Sequence, residues 1–398
     1  MNIAIVGCGF VADYYMTTLP NHPELRLVGA FDRDPDAARR FAAFHGVRSF
    51  DSLDDLLANP SVEMVLNLTN PSSHYAVSRA CLEGGRHVYC EKPLAMTIED
   101  AGDLVAVAAA RNLQIASAPS SVLGETAEAL GEAVRDGRIG DVRLVYAEME
   151  DSMVFRESYR SWRSASGAPW PAEDEFATGC TLEHAGYYLT WLCDLFGPVV
   201  EMTAFAAKLF PDKGTEQAPS EIANDLSVTC LRFAGGTVAR LTCGLAAPVD
   251  RSLHLVGTQG VLSITDGWNA QSPIYLRDHA GHWQPRWRLL GRIARRLERN
   301  RPFRHWFGQR IGVRRSAASV PETSSRMDFM RGPARMADSI RSGRSFRLGG
   351  AFSLHVTELS IVAQNADRFA MPYRPRSRFE QPASETISQN ACTLPRHG

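Results

Sequence analysis

Ile3-Ala4-Ile5-Val6-Gly7-Cys8-Gly9-Phe10-Val11-Ala12 decides how this chain is read. Four apolar residues make a buried strand, and the glycines after them turn the chain into a helix. Gly7 permits the tight turn. Gly9 lets the backbone approach a pyrophosphate, and Ala12, in place of a third glycine, is small enough for a helix to lie close on a strand. Phe10 and Val11 open that helix, and its N-terminal amides suit phosphate. The motif alone is a weak signal; its place between a strand and a helix gives it weight. The next strand, residues 25–31, ends at Asp32, 25 positions after Gly7. A carboxylate there binds the ribose hydroxyls of NAD and repels a 2′-phosphate. Arg33 beside it can accept that phosphate, so NAD is favoured and NADP stays open.

Outward from this stretch, strand and helix alternate. Strands are expected at residues 3–6, 25–31, 62–68, 87–90 and 113–117, and helices at 11–19, 36–45, 75–84 and 98–111. Strict alternation implies a doubly wound parallel sheet of the Rossmann kind, with ligands beyond the carboxyl ends of its strands. A chain of 398 residues favours two domains. A net charge of -1 gives no reason to expect nucleic acid. No apolar run is long enough for a transmembrane helix. The apolar run at the N-terminus has no basic stretch before it and reads as a strand, not a signal peptide. The eight cysteines form no CxxC pair, which suggests reduced thiols, a cytoplasmic protein and no metal site.

The second informative stretch is His87-Val88-Tyr89-Cys90-Glu91-Lys92-Pro93-Leu94-Ala95. It delivers a lysine from the end of a later strand of the same sheet. It closely resembles the Gfo/Idh/MocA oxidoreductases. Gly84-Gly85-Arg86 before it, Thr69-Asn70-Pro71 with His74, and the Trp162-Arg163 pair fit the same family. The resemblance implies NAD(P)-dependent hydride transfer on a ring carbon of a sugar, cyclitol or nucleotide sugar. It implies that Lys92 orients the reacting hydroxyl and assists proton transfer, and that Glu91, Lys92 and the Thr69–Pro71 loop with His74 border the cofactor. Arg163 is expected either to bind substrate or to support its loop.

Many members of that family carry a helix reading D-x-G-x-H. Here residues 179–189 stand in its place. Anchored on Gly186, His184 falls at the Asp position and Tyr188 at the His position. Four residues apart, they share one helix face. Either can serve as acid/base, with Tyr188 aided by a nearby lysine ammonium. If both only pack the core, the rival expectation is a nicotinamide-binding scaffold or sensor without turnover. The segment before the helix, with Pro169-Trp170-Pro171 and the acidic Glu173-Asp174-Glu175, is an insertion near the expected pocket.

The expected organisation is a NAD(P)-binding Rossmann domain over residues 1–120 and a substrate and oligomerisation α+β domain over 121–372. The resemblance implies a large, mostly antiparallel open sheet in the second, and a homo-oligomer. The sequence agrees, with strands expected at 143–150, 199–207, 226–233, 237–245, 252–256 and 260–265. A basic insertion lies at about 283–320; residues 286–315 hold eleven arginines and one acid, Glu298. Residues 289–299 read as a basic amphipathic helix. The segment suits an anionic membrane surface, a phosphate-bearing substrate, or simply solvent. Helices are expected at 326–342 and 351–370, and a disordered tail over 373–398.

Overall fold

The computed structural model describes residues 1–279, 309–314, 320 and 326–380. The first sheet has the order β2-β1-β3-β4-β5 and is parallel throughout. Its strands are β1 (Asn2–Val6), β2 (Arg26–Phe31), β3 (Met64–Asn67), β4 (His87–Cys90) and β5 (Ile115–Ser117). They alternate with α1 (Phe10–Thr18), α2 (Pro35–His45), α3 (Leu53–Ala58), α4 (His74–Glu83) and α5 (Ile98–Ala110). Boundaries are set by local chemistry. Pro35 starts α2 with Asp34 as its cap, and Thr97 caps α5 through the Asp100 amide. Strand order reverses between β1 and β3, so the crevice opens beyond Val6, at Gly7.

The second sheet joins β6 (Val142–Glu150), β7 (Val199–Ala207), β8 (Leu226–Phe233), β9 (Val238–Gly244), β10 (Leu253–Gly257), β11 (Gly260–Ile264), β12 (Ile274–Asp278) and β13 (Gln309–Ile311). Their order is β13-β12-β11-β10-β6-β9-β8-β7, antiparallel except for the central β6–β9 pair. Ahead of it comes α6 (Glu125–Arg135), and α7 (Ala172–Thr178) and α8 (Cys180–Phe196) lie between β6 and β7. After the second sheet come α9 (Arg331–Arg341) and α10 (Gly350–Gln364). α8 and α10 pack together, and α10 also reaches α5 and β5, so one buried helix ties the two sheets.

Three expectations are corrected. The helix expected from 326 begins at Arg331, because Asp328 and Met330 are engaged elsewhere: Asp328 faces the His22 ring, and the Met330 amide donates to Thr18 Oγ1. The helix expected to reach 370 ends at Gln364. Residues 373–380 are ordered. Tyr373 pairs with Met202, and buried Glu358 accepts from the Tyr373 hydroxyl and the Arg376 and Ser377 amides. Polar composition hid this because the partner is a polar group inside the fold. The helix expected at 289–299 lies outside the described residues, as does residues 381–398 of the tail.

Candidate active site

The glycine turn is fixed by close approach. Gly7 has φ +99°, and a Cβ there would sit 2.6 Å from the backbone of Leu68 and Thr69. Its amide donates to the Phe31 carbonyl, and the Cys8 amide to Asp32 Oδ2 at 2.7 Å. Asp32 Oδ1 takes the Asp34 amide, so the carboxylate is held at the end of β2. Around Gly9 the space is open, with nothing within 4 Å of a Cβ. α1 begins there with no side-chain cap, leaving the amides of its first turn free for a ligand. Ala12 is fully buried. Arg33 is exposed.

At the end of β4, the Glu91 amide donates to the Asn67 carbonyl. Glu91 Oε1 accepts from the Tyr15 hydroxyl at 2.6 Å, and Oε2 from the Lys92 amide. The Lys92 ammonium pairs with the Glu183 carboxylate on α8. Burial opposes the ammonium, but Glu183 first, then Glu175, Tyr187 and Glu91, hold its pKa well above the ordinary lysine value. Lys92 is therefore charged at neutral pH.

The α8 face toward Lys92 differs from the expected one. Glu183 pairs with the lysine, and Tyr187, four residues further along the same helix, feels its charge. Tyr188 is fully buried on another face; its hydroxyl donates to the Arg251 carbonyl at 2.5 Å and its ring packs on Trp191. Tyr188 does not turn its hydroxyl toward Lys92 as the Gly186 register expects. The anchor was the error. A Cβ at Gly186 would meet Pro119 Cδ at 3.0 Å, so this glycine serves close packing against the Pro119 turn. One residue turns a helix by about 100°, so the pattern reads Glu183-x-Ala185-x-Tyr187. Burial, with Glu91, Glu183 and Glu175, holds the Tyr187 phenol above its ordinary value, and the Lys92 charge offsets only part of that.

His184 sits beside this face. Its ring is edge-on to Trp268, and its Nδ1 is buried without a hydrogen-bond partner. Burial, then the Lys92 charge, push its pKa down to about 3, so the imidazole is neutral. Two other residues make contacts within the protein. His74 is fully buried, with Nδ1 on the Pro93 carbonyl and Nε2 on the Thr69 carbonyl. It ties the two loops together and offers no free atom to a cofactor. Arg163 is exposed and donates to the carbonyls of Arg160 and Trp162, supporting its own loop. Thr69 is held by Asn67 through its hydroxyl, and Pro71 starts a short helical turn.

The 162–178 segment spans the crevice. The Ser166 amide and hydroxyl donate to Asp13 Oδ2 on α1, at 3.0 and 2.8 Å. Asn70 donates to Asp174 at 2.5 Å, and Arg33 faces the same carboxylate. Glu175 reaches Glu183 itself. Sequence reasoning missed Glu183, Tyr187, Glu175 and Tyr15. The first three carried a signal, as acids and a tyrosine at four-residue spacing through Gly179; Tyr15 carried none.

Fold and site together define an NAD-binding Rossmann oxidoreductase. Residues 1–118 match the oxidoreductase family with an NAD-binding Rossmann fold, and residues 127–263 match the GFO/IDH/MocA C-terminal domain. The chain belongs to the Gfo/Idh/MocA oxidoreductase family. It is 25% identical over 279 residues to the trans-1,2-dihydrobenzene-1,2-diol dehydrogenase of Bos taurus, covering 69% of this chain and 77% of that one. Its fold is similar to an aldose-aldose oxidoreductase from Caulobacter crescentus complexed with glycerol (TM-score 0.68, 19% identity, 93% of this chain and 98% of that one). It is also similar to the WlbA dehydrogenase from Bordetella pertussis in complex with NADH and UDP-GlcNAcA (TM-score 0.68, 18% identity, 94% and 98% covered). The open lane at Gly9, the uncapped start of α1 and the tethered Asp32 fit a dinucleotide.

Proposed function

We propose that the protein transfers hydride between a nicotinamide cofactor and a carbinol or carbonyl carbon of a small polyhydroxylated molecule, a sugar, cyclitol or nucleotide sugar. The observation that carries this reading is the Lys92 ammonium at the carboxyl end of β4, paired with Glu183 and faced by Tyr187 beside the dinucleotide crevice. Gly7, Gly9, Phe10, Val11 and Ala12 hold the pyrophosphate, Asp32 the ribose, and Thr69–Pro71 with Glu91 the nicotinamide side. The cofactor, when bound, supplies or accepts the hydride.

Lys92 hydrogen-bonds the substrate oxygen and stabilises the charge that develops on it. The Tyr187 phenol donates to that oxygen, and the neutral His184, through its unpartnered Nδ1, orients a second hydroxyl. The intact Lys92–Glu183 pair favours turnover over a silent scaffold. Cytoplasmic residence and a homo-oligomer belong to the same reading; Phe205 and Tyr146, exposed on the second sheet, support the latter. The test is nicotinamide absorbance with a panel of polyols, keto-sugars and nucleotide sugars. Turnover that vanishes in Lys92→Ala is expected. Tight NAD(P) binding without turnover of any polyol or keto-sugar refutes the reading.

A further inference from the structure

Glu175 has no place in the reading above, yet it stands in the site. It belongs to α7, part of the inserted segment. Gly179, with φ +96°, joins α7 to α8. The Gly179 amide closes on the Glu175 carbonyl and the Glu183 amide on the Gly179 carbonyl. Across this joint the Glu175 and Glu183 side chains, eight residues apart in the chain, hydrogen-bond to one another. A Cβ at Gly179 would meet the Gln364 amide at 2.4 Å, and Gln364 Oε1 accepts from the Thr181 and Leu182 amides, so α10 fixes the joint. The Asn70–Asp174 contact holds α7 over the crevice.

The groups facing Glu175 are Glu183 and Tyr187 from α8, and Lys92 and Glu91 from the end of β4. Glu183 is buried and already gives an oxygen to Lys92. Two hydrogen-bonded carboxyls in a half-dry site resist being ionised together. Burial and Glu183 push the Glu175 carboxyl up to about 8, with Lys92 pulling the other way, so Glu175 carries a proton at neutral pH.

Resting on the proposed reaction, we propose that Glu175 is a positioning residue that stores the proton of the reaction behind Lys92. In reduction, hydride from the nicotinamide forms the new C–H bond, and the carbonyl π pair moves to oxygen. That oxygen takes a proton from the Lys92 ammonium, and the neutral amine regains one from the Glu175–Glu183 pair. The pair is left with both carboxylates ionised until solvent returns the proton. Oxidation runs the same steps backward, and the pair receives the proton of the alcohol.

The experiment compares wild type with Glu175→Gln, whose amide keeps a donor toward Glu183 and carries no exchangeable acid. Infrared difference spectra read the protonated carboxyl directly, without substrate. A carboxyl C=O band that fades as pH rises through about 8 and is absent in Glu175→Gln is expected. In turnover, wild-type keto-substrate reduction falls over the same range. Glu175→Gln shows no such limb and loses about tenfold or more in kcat at unchanged KM. The proposal is overturned if wild type shows no such band, if the band survives in Glu175→Gln, or if that variant keeps the alkaline limb and wild-type kcat. A band without any turnover refutes the dehydrogenase reading instead, and turnover without the band refutes the Glu175 assignment alone.

Discussion

The glycine turn and the α7–α8 joint border the same crevice and are held in opposite ways. At the turn, backbone meets backbone: Gly7 lies against Leu68 and Thr69, and the Cys8 amide is fixed by Asp32. At the joint, side chains meet side chains: Glu175 on Glu183, Glu183 on Lys92, Asn70 on Asp174. A site made of backbone depends on where glycine stands, and tolerates little variation. A site made of side chains depends on helix register, and one shift of register replaces every group in it.

The comparison breaks first at the residue the two walls share. Lys92→Ala is expected to lower turnover by about a thousandfold, within the range of lost acid–base and electrostatic assistance. Affinity for NAD(P) is expected to change by less than about threefold, since the phosphate and ribose contacts lie elsewhere. Steady-state kinetics beside a cofactor titration measure both. Comparable losses in the two would mean that Lys92 belongs to the cofactor wall.

The backbone wall is tested by its two glycines, which play different parts. Gly7→Ala puts a Cβ into backbone at 2.6 Å and a positive φ on a residue that avoids it. A loss of about 3 kcal/mol in chemical denaturation is expected. Gly9→Ala meets open space. Its stability is expected to change by less than about 1 kcal/mol, while NAD(P) affinity falls about tenfold or more because the new methyl fills the pyrophosphate lane. If Gly9→Ala binds cofactor normally, the lane runs elsewhere.

The same contrast explains what could be read from the chain. The first sheet and its crevice were legible because each step is local. An apolar run, a glycine and an acid at the next strand end specify the geometry between them, and Asn2–Val6, Gly7 and Asp32 stand where they were expected. Lys92 was legible for the same reason, since a strand end followed by Pro93 admits one placement. The second wall was not. Gly186 looked like a motif glycine, but it answers to Pro119, which is 67 positions away in the chain. No periodicity reports such a contact. Glu183 meets Lys92, although the register anchored on Gly186 turns it away. The acidic run before it was visible, but its partners, Asn70 and Glu183, come together only in the fold.

Adjacent tyrosines sharpen the register. Tyr187→Phe is expected to lower kcat by about tenfold to a hundredfold with little change in stability, since it removes a phenol facing Lys92. Tyr188→Phe is expected to do the reverse. It loses one buried hydrogen bond to the Arg251 carbonyl, about 1 kcal/mol, and leaves kcat alone. That carbonyl keeps the Gly267 amide, so the loss stays small. A kcat effect confined to Tyr188→Phe would restore the register anchored on Gly186.

The smallest effect lies where the inserted segment grips the first wall. Asp13, buried on α1, accepts the Ser166 amide and hydroxyl and faces the His45 ring. Burial raises its pKa, but hydrogen bonds from Ser164, His45 and Ser166 outweigh that and hold it below the ordinary aspartate value. The contact therefore adds stability above that ordinary value, and the gain is lost as pH falls through the depressed one. Ser166→Ala removes one of the two Ser166 donors and keeps the amide. A loss of about 1 kcal/mol near neutral pH is expected, shrinking on acidification. Because this grip crosses the start of the dinucleotide helix, NAD(P) is expected to leave about two to five times faster from the variant, a factor worth under about 1 kcal/mol. Stopped-flow release of the reduced cofactor reads it. An unchanged release rate with the stability loss intact would make the segment a brace for α1 and not a strap over the cofactor, leaving its hold on catalysis to Glu175 alone.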